Sequence, residues 1–384
     1  MTLHLYDQDS FILEFDAVVR SCEAKGDKYI VTLDRTAFFP EGGGQGADHG
    51  VLGGVNVLDA HEVNGEVQHL TDGPLSVGGT VHGIVDAKRR VSMMQQHSGE
   101  HIFSGIVHQL FGYDNVGFHI GSEAVTMDFN GPLTEEDVLR VERMANEIVW
   151  KNIPVVTLLP TPDELAAMEY RSKKALSGEV RIVTIEGADT CACCGTHVKY
   201  TGSIGQIKVL SCQKYKSGVR VSILCGVRAL DEENMLLGQV RRASAALSCK
   251  QPEVADCVEK LLSDRDSLRA ANDLLSMRVF DMMAKAENEK DVRVVMCDVL
   301  PASQARKAAG KLAAGAKAAL VLIPRAEGGY SFAMSSEIID IRPATKALCE
   351  AFGGRGGGPK DMTQGVLGAA EDSMIREKIA ELLA

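Results

Sequence analysis

Along the first 85 positions apolar residues come in short runs, FILEFDAVV, YIVTLD, GVLGGVNVLDA and TVHGIVD, separated by glycine-rich turns. Runs of this length and spacing predict a small β-barrel or sandwich over residues 1–85. At Asp86 the period changes. Val91, Met94, Ile102, Ile106 and Leu110 recur at helical spacing, so a helix capped by Asp86 is expected to reach about Leu110. Strands follow at GFHI and AVTMDF, and Thr134 with Asp137 forms a capping-box pattern that opens a helix to about Lys151. A further helix from about Asp163 to Leu176, then strands at EVRIVTIEG, IGQIKVLSC and VRVSILCG, complete a mixed α+β domain over residues 86–230.

Residues 231–290 nearly lack glycine and intersperse charges with leucines at helical spacing, which predicts a long helical arm or hairpin. From Asp291 to Ala384 a strand, an Ala/Lys helix, two more strands, a helix before Gly353 and a closing helix read as a small α/β domain. The expected fold class is therefore multi-domain α+β: N-terminal small β-barrel (1–85), α+β domain (86–230), helical arm (231–290) and C-terminal small α/β domain (291–384).

Composition narrows the classes of function. In 384 residues, 45% hydrophobic and 24% charged content leaves ample core. A net charge of -11 argues against a protein that coats nucleic acid or anionic membrane with its whole surface. The charge is unevenly placed, however: residues 291–384 carry 12 basic and 11 acidic side chains, whereas the rest carries 29 basic and 41 acidic. If a part touches nucleic acid, it is the C-terminal domain. The N-terminus lacks the basic start and apolar run of a signal peptide, and no window reaches the length of a membrane helix, so a cytoplasmic protein without membrane contact is expected. Ten cysteines, clustered at Cys191, Cys193 and Cys194, suggest reduced thiols and metal ligation rather than a disulfide scaffold.

Two segments point to a metal. His97 and His101 lie four apart on the first strong helix, which lets both imidazoles face one ion, although a pair at this spacing also arises by chance. Cys191-Ala-Cys193-Cys194-Gly-Thr-His197 adds a thiolate and an imidazole across one short turn. Together His97, His101, Cys193 and His197 offer three nitrogens and one sulfur, a set that suits one Zn²⁺ per chain. Burial of the cysteines as small hydrophobes is the competing reading.

Two glycine clusters stand apart. Gly42-Gly43-Gly44-Gln45 has neither dinucleotide spacing nor a following helix, and reads as a tight β turn or as a backbone approach to a ligand. Gly353-Gly-Arg355-Gly356-Gly357-Gly-Pro359-Lys360 has Pro359 where a phosphate-binding loop needs its lysine, so ATP binding is not expected there. A basic, glycine-rich loop suited to a sugar-phosphate backbone remains.

At these residues the sequence resembles a known family. HSGEHIFSG and CCGTHV…TGSIGQIKVL are similar to the HxxxH and CxxxH zinc motifs of the editing domain shared by alanyl- and threonyl-tRNA synthetases. FFPEGGGQGADHG resembles the glycine motif of the alanyl branch, and GGRGGGPKDMTQG the signature of the alanyl-tRNA synthetase C-terminal domain. With no room upstream for an aminoacylation domain, the match is to the long form of the freestanding alanyl-tRNA editing proteins. That resemblance implies hydrolysis of wrongly charged tRNA(Ala), chiefly seryl-tRNA(Ala) and also glycyl-tRNA(Ala). It makes His97, His101, Cys193 and His197 the zinc ligands, Cys193 being chosen over Cys191 and Cys194 by its four-residue offset from His197. Thr36, Gly42, Gly43, Gly44 and Gln45 fall where the family binds the amino acid, and Arg355, Gly356, Gly357 and Lys360 where it meets tRNA. No catalytic side chain is implied.

Two rival readings stay open. His97-Ser-Gly-Glu100-His101 formally satisfies H-x-x-E-H, the pattern of one class of zinc peptidase. Alternatively zinc holds the fold and the protein binds tRNA without turnover. The arm and its C-terminal neighbour are also the expected route to a homodimer.

Overall fold

In the first unit β1 (Leu3–His4) and the short helix α1 (Leu5–Gln8) lead into β2 (Glu14–Lys25) and β3 (Lys28–Leu33), after which β4 (Arg35–Thr36) pairs back onto β1. There follow β5 (Gly50–Leu52), β6 (Val55–Val63), β7 (Glu66–Thr71) and β8 (Thr80–Val85). Antiparallel pairing in the order β2-β3-β7-β6-β5-β8 closes these six strands into a ring. Its interior is filled by alternate residues, among them Val19, Val31, Leu33, Phe38 and Leu52. The computed structural model describes residues 1–172 and 180–384, in two units, Met1–Gln239 and Val240–Ala384.

From Asp86, whose carboxylate accepts from the Arg89 N–H, α2 (Ala87–Phe111) runs to Gly112, which takes the left-handed conformation that ends a helix. Residues 96–107 of α2 are buried without interruption. Small residues make that possible: a Cβ at Gly99 would collide with Cys225, and one at Gly105 with the Ala188 carbonyl. Two sheets close over the helix. One has the order β14-β15-β10-β9, from β9 (Asn115–Ile120), β10 (Val125–Phe129), β14 (Ile207–Tyr215) and β15 (Gly218–Cys225). The other joins β11 (Val155–Leu158), β12 (Ile182–Ile185) and β13 (Asp189–Ala192). The capping box of Thr134 and Asp137 opens α3 (Glu135–Lys151), whose Val138, Val141 and Ala145 pack with Ile102, Phe103 and Ile106 of α2 in one core.

The expected helix from Asp163 to Leu176 is shorter: α4 spans Pro162–Ala167. Beyond it Arg171 bridges to Cys191, with backbone bonds to Thr190 and Ala192, and its guanidinium grips Asp189. Those tertiary bonds need extended backbone, which the local propensity cannot foresee. Positions 173–176 of that expectation lie outside the described residues.

α5 (Gly226–Leu247) starts five residues before the arm boundary read from composition, and α6 (Val254–Ala284) follows a short turn. In the second unit β16 (Val292–Met296), α7 (Ala305–Ala313), β17 (Ala318–Pro324), β18 (Tyr330–Ser335), α8 (Arg342–Ala351), β19 (Arg355–Gly357), β20 (Met362–Leu367) and α9 (Asp372–Leu383) build a mixed sheet of order β16-β17-β18-β20-β19. Met277 and Phe280 of α6 pack with α7 in one of its cores, and α8 and α9 supply another. Among the described residues no helix is long and apolar enough to cross a membrane.

Candidate metal centre

One turn of α2 separates His97 from His101 and aims both rings toward the loop after β13, which carries Cys193 and His197. The four side chains present ligand atoms that all lie within 4.8 Å of one another. Cys193 Sγ is 3.3 Å from His97 Nε2 and 3.4 Å from His197 Nε2. A tetrahedral zinc site with its usual bond lengths has edges of about 3.3–3.6 Å, so these separations fit. His101 Nε2 is buried and has no hydrogen-bond partner among the described residues, a state whose cost an ion would relieve. Three imidazoles and a thiolate favour Zn²⁺ over harder cations.

All three rings are oriented from behind. His97 Nδ1 hydrogen-bonds Gln45 Oε1 at 2.9 Å, His197 Nδ1 meets Ser98 Oγ at 3.1 Å, and His101 Nδ1 meets Asp189 Oδ2 at 2.9 Å. Occupying every Nδ1 leaves every Nε2 for the centre, the arrangement that fixes tautomer and ring angle at metal sites. Asp189 is itself held by two bonds from Arg171, at 2.8 and 2.9 Å. Charge follows geometry. Burial works against the Cys193 thiolate, but the charges of His97 and His101 outweigh it and hold the thiol well below its usual value. Burial presses His197 down to about 3, keeping it neutral. For His101 burial is outweighed by the Cys193 charge and the Asp189 bond, which lift it to about 9.

The glycine cluster shapes the wall of this centre. Gly42 and Gln45 exchange both backbone hydrogen bonds around Gly43 (φ 59) and Gly44 (φ 88), a two-residue turn with both central residues in the left-handed region. That turn delivers Gln45, fully buried, to His97; its Nε2 donates to Thr196 Oγ1 at 2.9 Å. At Gly195 a Cβ would strike the His97 ring. Thr36 lies on β4, outside the six-stranded ring, its hydroxyl 2.8 Å from Nε2 of His69 on ring strand β7 and accepting from the Phe38 N–H. Cys191 is buried within reach of His101 and Asp189, while Cys194 is exposed. Glu100 accepts from Ser104 Oγ at 2.6 Å and Asn115 Nδ2 at 2.7 Å. In the second unit Arg355, Gly356 and Gly357 form the exposed edge strand β19, and Lys360 is exposed in the turn after it.

Residues 180–221, which include Cys193 and His197, match the family model described as the threonyl and alanyl tRNA synthetase second additional domain. The mouse alanyl-tRNA editing protein Aarsd1 is 31% identical over 70% of this chain and 69% of its own length. The chain belongs to the alanyl-tRNA editing proteins. Another member, AlaX-L of Pyrococcus horikoshii, is 28% identical over 100% of this chain and 98% of its own. The alanine--tRNA ligase of Ignicoccus hospitalis is 28% identical over 100% of this chain, which spans 42% of that ligase.

In this editing protein several supporting residues escaped the sequence reading. Asp189 and Arg171 stand 88 and 70 positions after His101, and nothing in their local pattern marks them as partners of a ligand. Ser98, inside the HSGEH segment, carried a faint signal: it lies beside a proposed ligand on a face that helical geometry already buries.

Proposed function

We propose that this chain hydrolyses the ester between a wrong amino acid and tRNA(Ala), chiefly seryl-tRNA(Ala), with glycyl-tRNA(Ala) as a second substrate. As a member of its family it is an aminoacyl-tRNA deacylase. The observation that carries the reading is the convergence of three imidazoles and one thiolate beside the Gly42–Gln45 turn. His97, His101, Cys193 and His197 would hold one Zn²⁺, which when bound supplies Lewis acidity toward an ester or a water. The ester is already a reactive acyl group, so the protein's own task is to position it and exclude other esters.

Selectivity needs groups that the serine hydroxyl satisfies and alanine leaves unpaired, an asymmetry worth up to roughly 10⁴ in rate. Thr36 and Gln45 are the candidates, with the backbone of Gly42, Gly43 and Gly44 allowing close approach. We assign the six-stranded ring the role of a small barrel presenting that turn, and residues 86–230 the chemistry. Arg355, Gly356, Gly357 and Lys360 at the edge strand are read as tRNA contacts, and the setting as cytoplasmic. Homodimerisation through α6 draws support from Leu261, Leu268 and Leu275, spaced by seven and each more than half exposed. The peptidase alternative gains no support, because Glu100 is engaged by Ser104 and Asn115 and the cysteine and His197 take the positions that such an enzyme gives to a glutamate and water.

The test is deacylation of seryl-, glycyl- and alanyl-tRNA(Ala) by zinc-replete protein and after chelation. Turnover of the first two, spared alanyl-tRNA and loss on chelation are expected. Absence of turnover of every ester would overturn the enzyme reading.

A further inference from the structure

The turn that joins α5 to α6 carries a pair of cysteines for which none of the roles above has a use. Cys249 stands two residues past the end of α5 and Cys257 is the fourth residue of α6, both inside the second unit. Backbone geometry builds the reversal. Ser248 takes φ 53, the Cys249 N–H donates to the Ser244 carbonyl at 3.1 Å, and the Ser244 hydroxyl donates to the Cys249 carbonyl at 2.6 Å. Gln251–Glu253 then form one 3₁₀ turn that leads directly into α6. Folded back in this way, the turn brings the two thiols into a side-chain hydrogen bond with one another.

A disulfide needs contact, access and room to adjust. Contact is present, and both sulfurs are free and partly exposed. A disulfide also demands Cα atoms within about 7 Å and a dihedral near 90°. Cys249 belongs to neither helix, so the turn can meet those demands without unwinding α5 or α6. The other thiols stand differently: Cys191, Cys225, Cys297 and Cys349 are buried, which keeps a thiol inert, and Cys193 belongs to the metal centre. Desolvation, then the bond to Cys257 and the charge on that sulfur, hold the Cys249 thiol above its usual value, which suits it to react second.

We infer that Cys249 and Cys257 form a reversible thiol–disulfide modification site in the turn between α5 and α6, oxidised by a low-molecular-weight disulfide and restored by a dithiol. In the first step the Cys257 thiolate attacks one sulfur of the small disulfide, forming a mixed disulfide and expelling one small thiolate. Cys249 then gives up its proton and attacks the Cys257 sulfur, expelling the second. Two protein thiols are oxidised, one small disulfide is reduced, and the two protons end on the two released thiols.

The experiment uses the full-length, zinc-replete protein and glutathione disulfide as the oxidant. After incubation the remaining thiols are alkylated, and the protein is unfolded and digested with trypsin, which cuts after Lys250 and so separates the two cysteines. Peptides 243–250 and 251–260 should be recovered as one linked species, at least about tenfold more abundant than either peptide carrying glutathione, because a neighbouring thiol acts at a high effective concentration. Dithiothreitol should return both peptides to the free form. Cys249→Ser and Cys257→Ser should each retain glutathione on the remaining cysteine and yield no linked species, with zinc and helix content at wild-type values. Glutathione persisting on both cysteines of the wild type would overturn the assignment. So would a link from either cysteine to a second copy of the chain, or both thiols still free once the exposed Cys194 has reacted. None of these readouts requires turnover, so the site stands or falls apart from the proposed function.

Discussion

Gln45 and His97, 52 positions apart, meet in a buried 2.9 Å hydrogen bond that turns the imidazole so that Nε2 faces Cys193. The same Oε1 accepts from the Thr196 N–H, so one amide ties the glycine turn to both halves of the centre. Gln45→Leu should lower zinc affinity about 10–100-fold, the usual effect of losing such a support. Gln45→Glu keeps an acceptor for His97 and should retain more of it. Competition with a chromophoric chelator reads both, and equal affinity in all three proteins would remove Gln45 from this role.

Asp189 is the corresponding partner of His101, but it also neutralises Arg171, and its side chain is only 1% exposed. Asp189→Asn leaves a guanidinium without its charge partner, for which a cost of about 3 kcal/mol in unfolding free energy is expected. Zinc affinity should fall as well. Chemical denaturation together with metal analysis distinguishes this from Gln45→Leu, which is expected to lose metal with a much smaller loss of stability.

Two glycines give opposite outcomes. Gly195→Ala places a methyl group against the His97 ring and 3.1 Å from Gln45 Oε1, so it should weaken zinc binding. Gly238→Ala, in α5 with nothing within 4 Å of the added carbon, should stabilise by about 0.5–1 kcal/mol through helix propensity. Thermal unfolding and zinc titration of the two variants provide the check.

His69 predicts a pH dependence. Complete burial pushes it down to about 4, with Nδ1 bonded to the Val31 carbonyl and Nε2 to the Thr36 hydroxyl. The unfolded chain protonates first as pH falls, so this contribution is whole above about pH 6.5 and is lost between there and about 4. At pH 4 the loss amounts to about 3 kcal/mol. Denaturant midpoints of the wild type and His69→Gln, compared at pH 7.5 and 5, should show the shallower dependence in the variant, since metal loss affects both alike.

Much of this architecture was legible along the chain. The change from short apolar runs to helical period at Asp86 and the Thr134 capping box both act through neighbouring residues, so local sequence carries them. The shortened helix after Pro162 was not legible, because Arg171 is drawn out of the helix by a carboxylate 18 positions away.

The sequence by itself determined which side chains are ligand-competent: two histidines one helical turn apart and a Cys-x-x-x-His turn hold their spacing through local backbone geometry alone. Only the tertiary structure decided how they are used. Which nitrogen of each ring faces the centre depends on Gln45, Ser98 and Asp189, hydrogen-bonding partners brought up by the glycine turn, by α2 and by β13 respectively. The glycine cluster had two meanings in the sequence, a turn or a ligand approach. Folding made it a turn that carries Gln45 into a buried network, because a buried amide must find partners and His97 and Thr196 are the groups within reach.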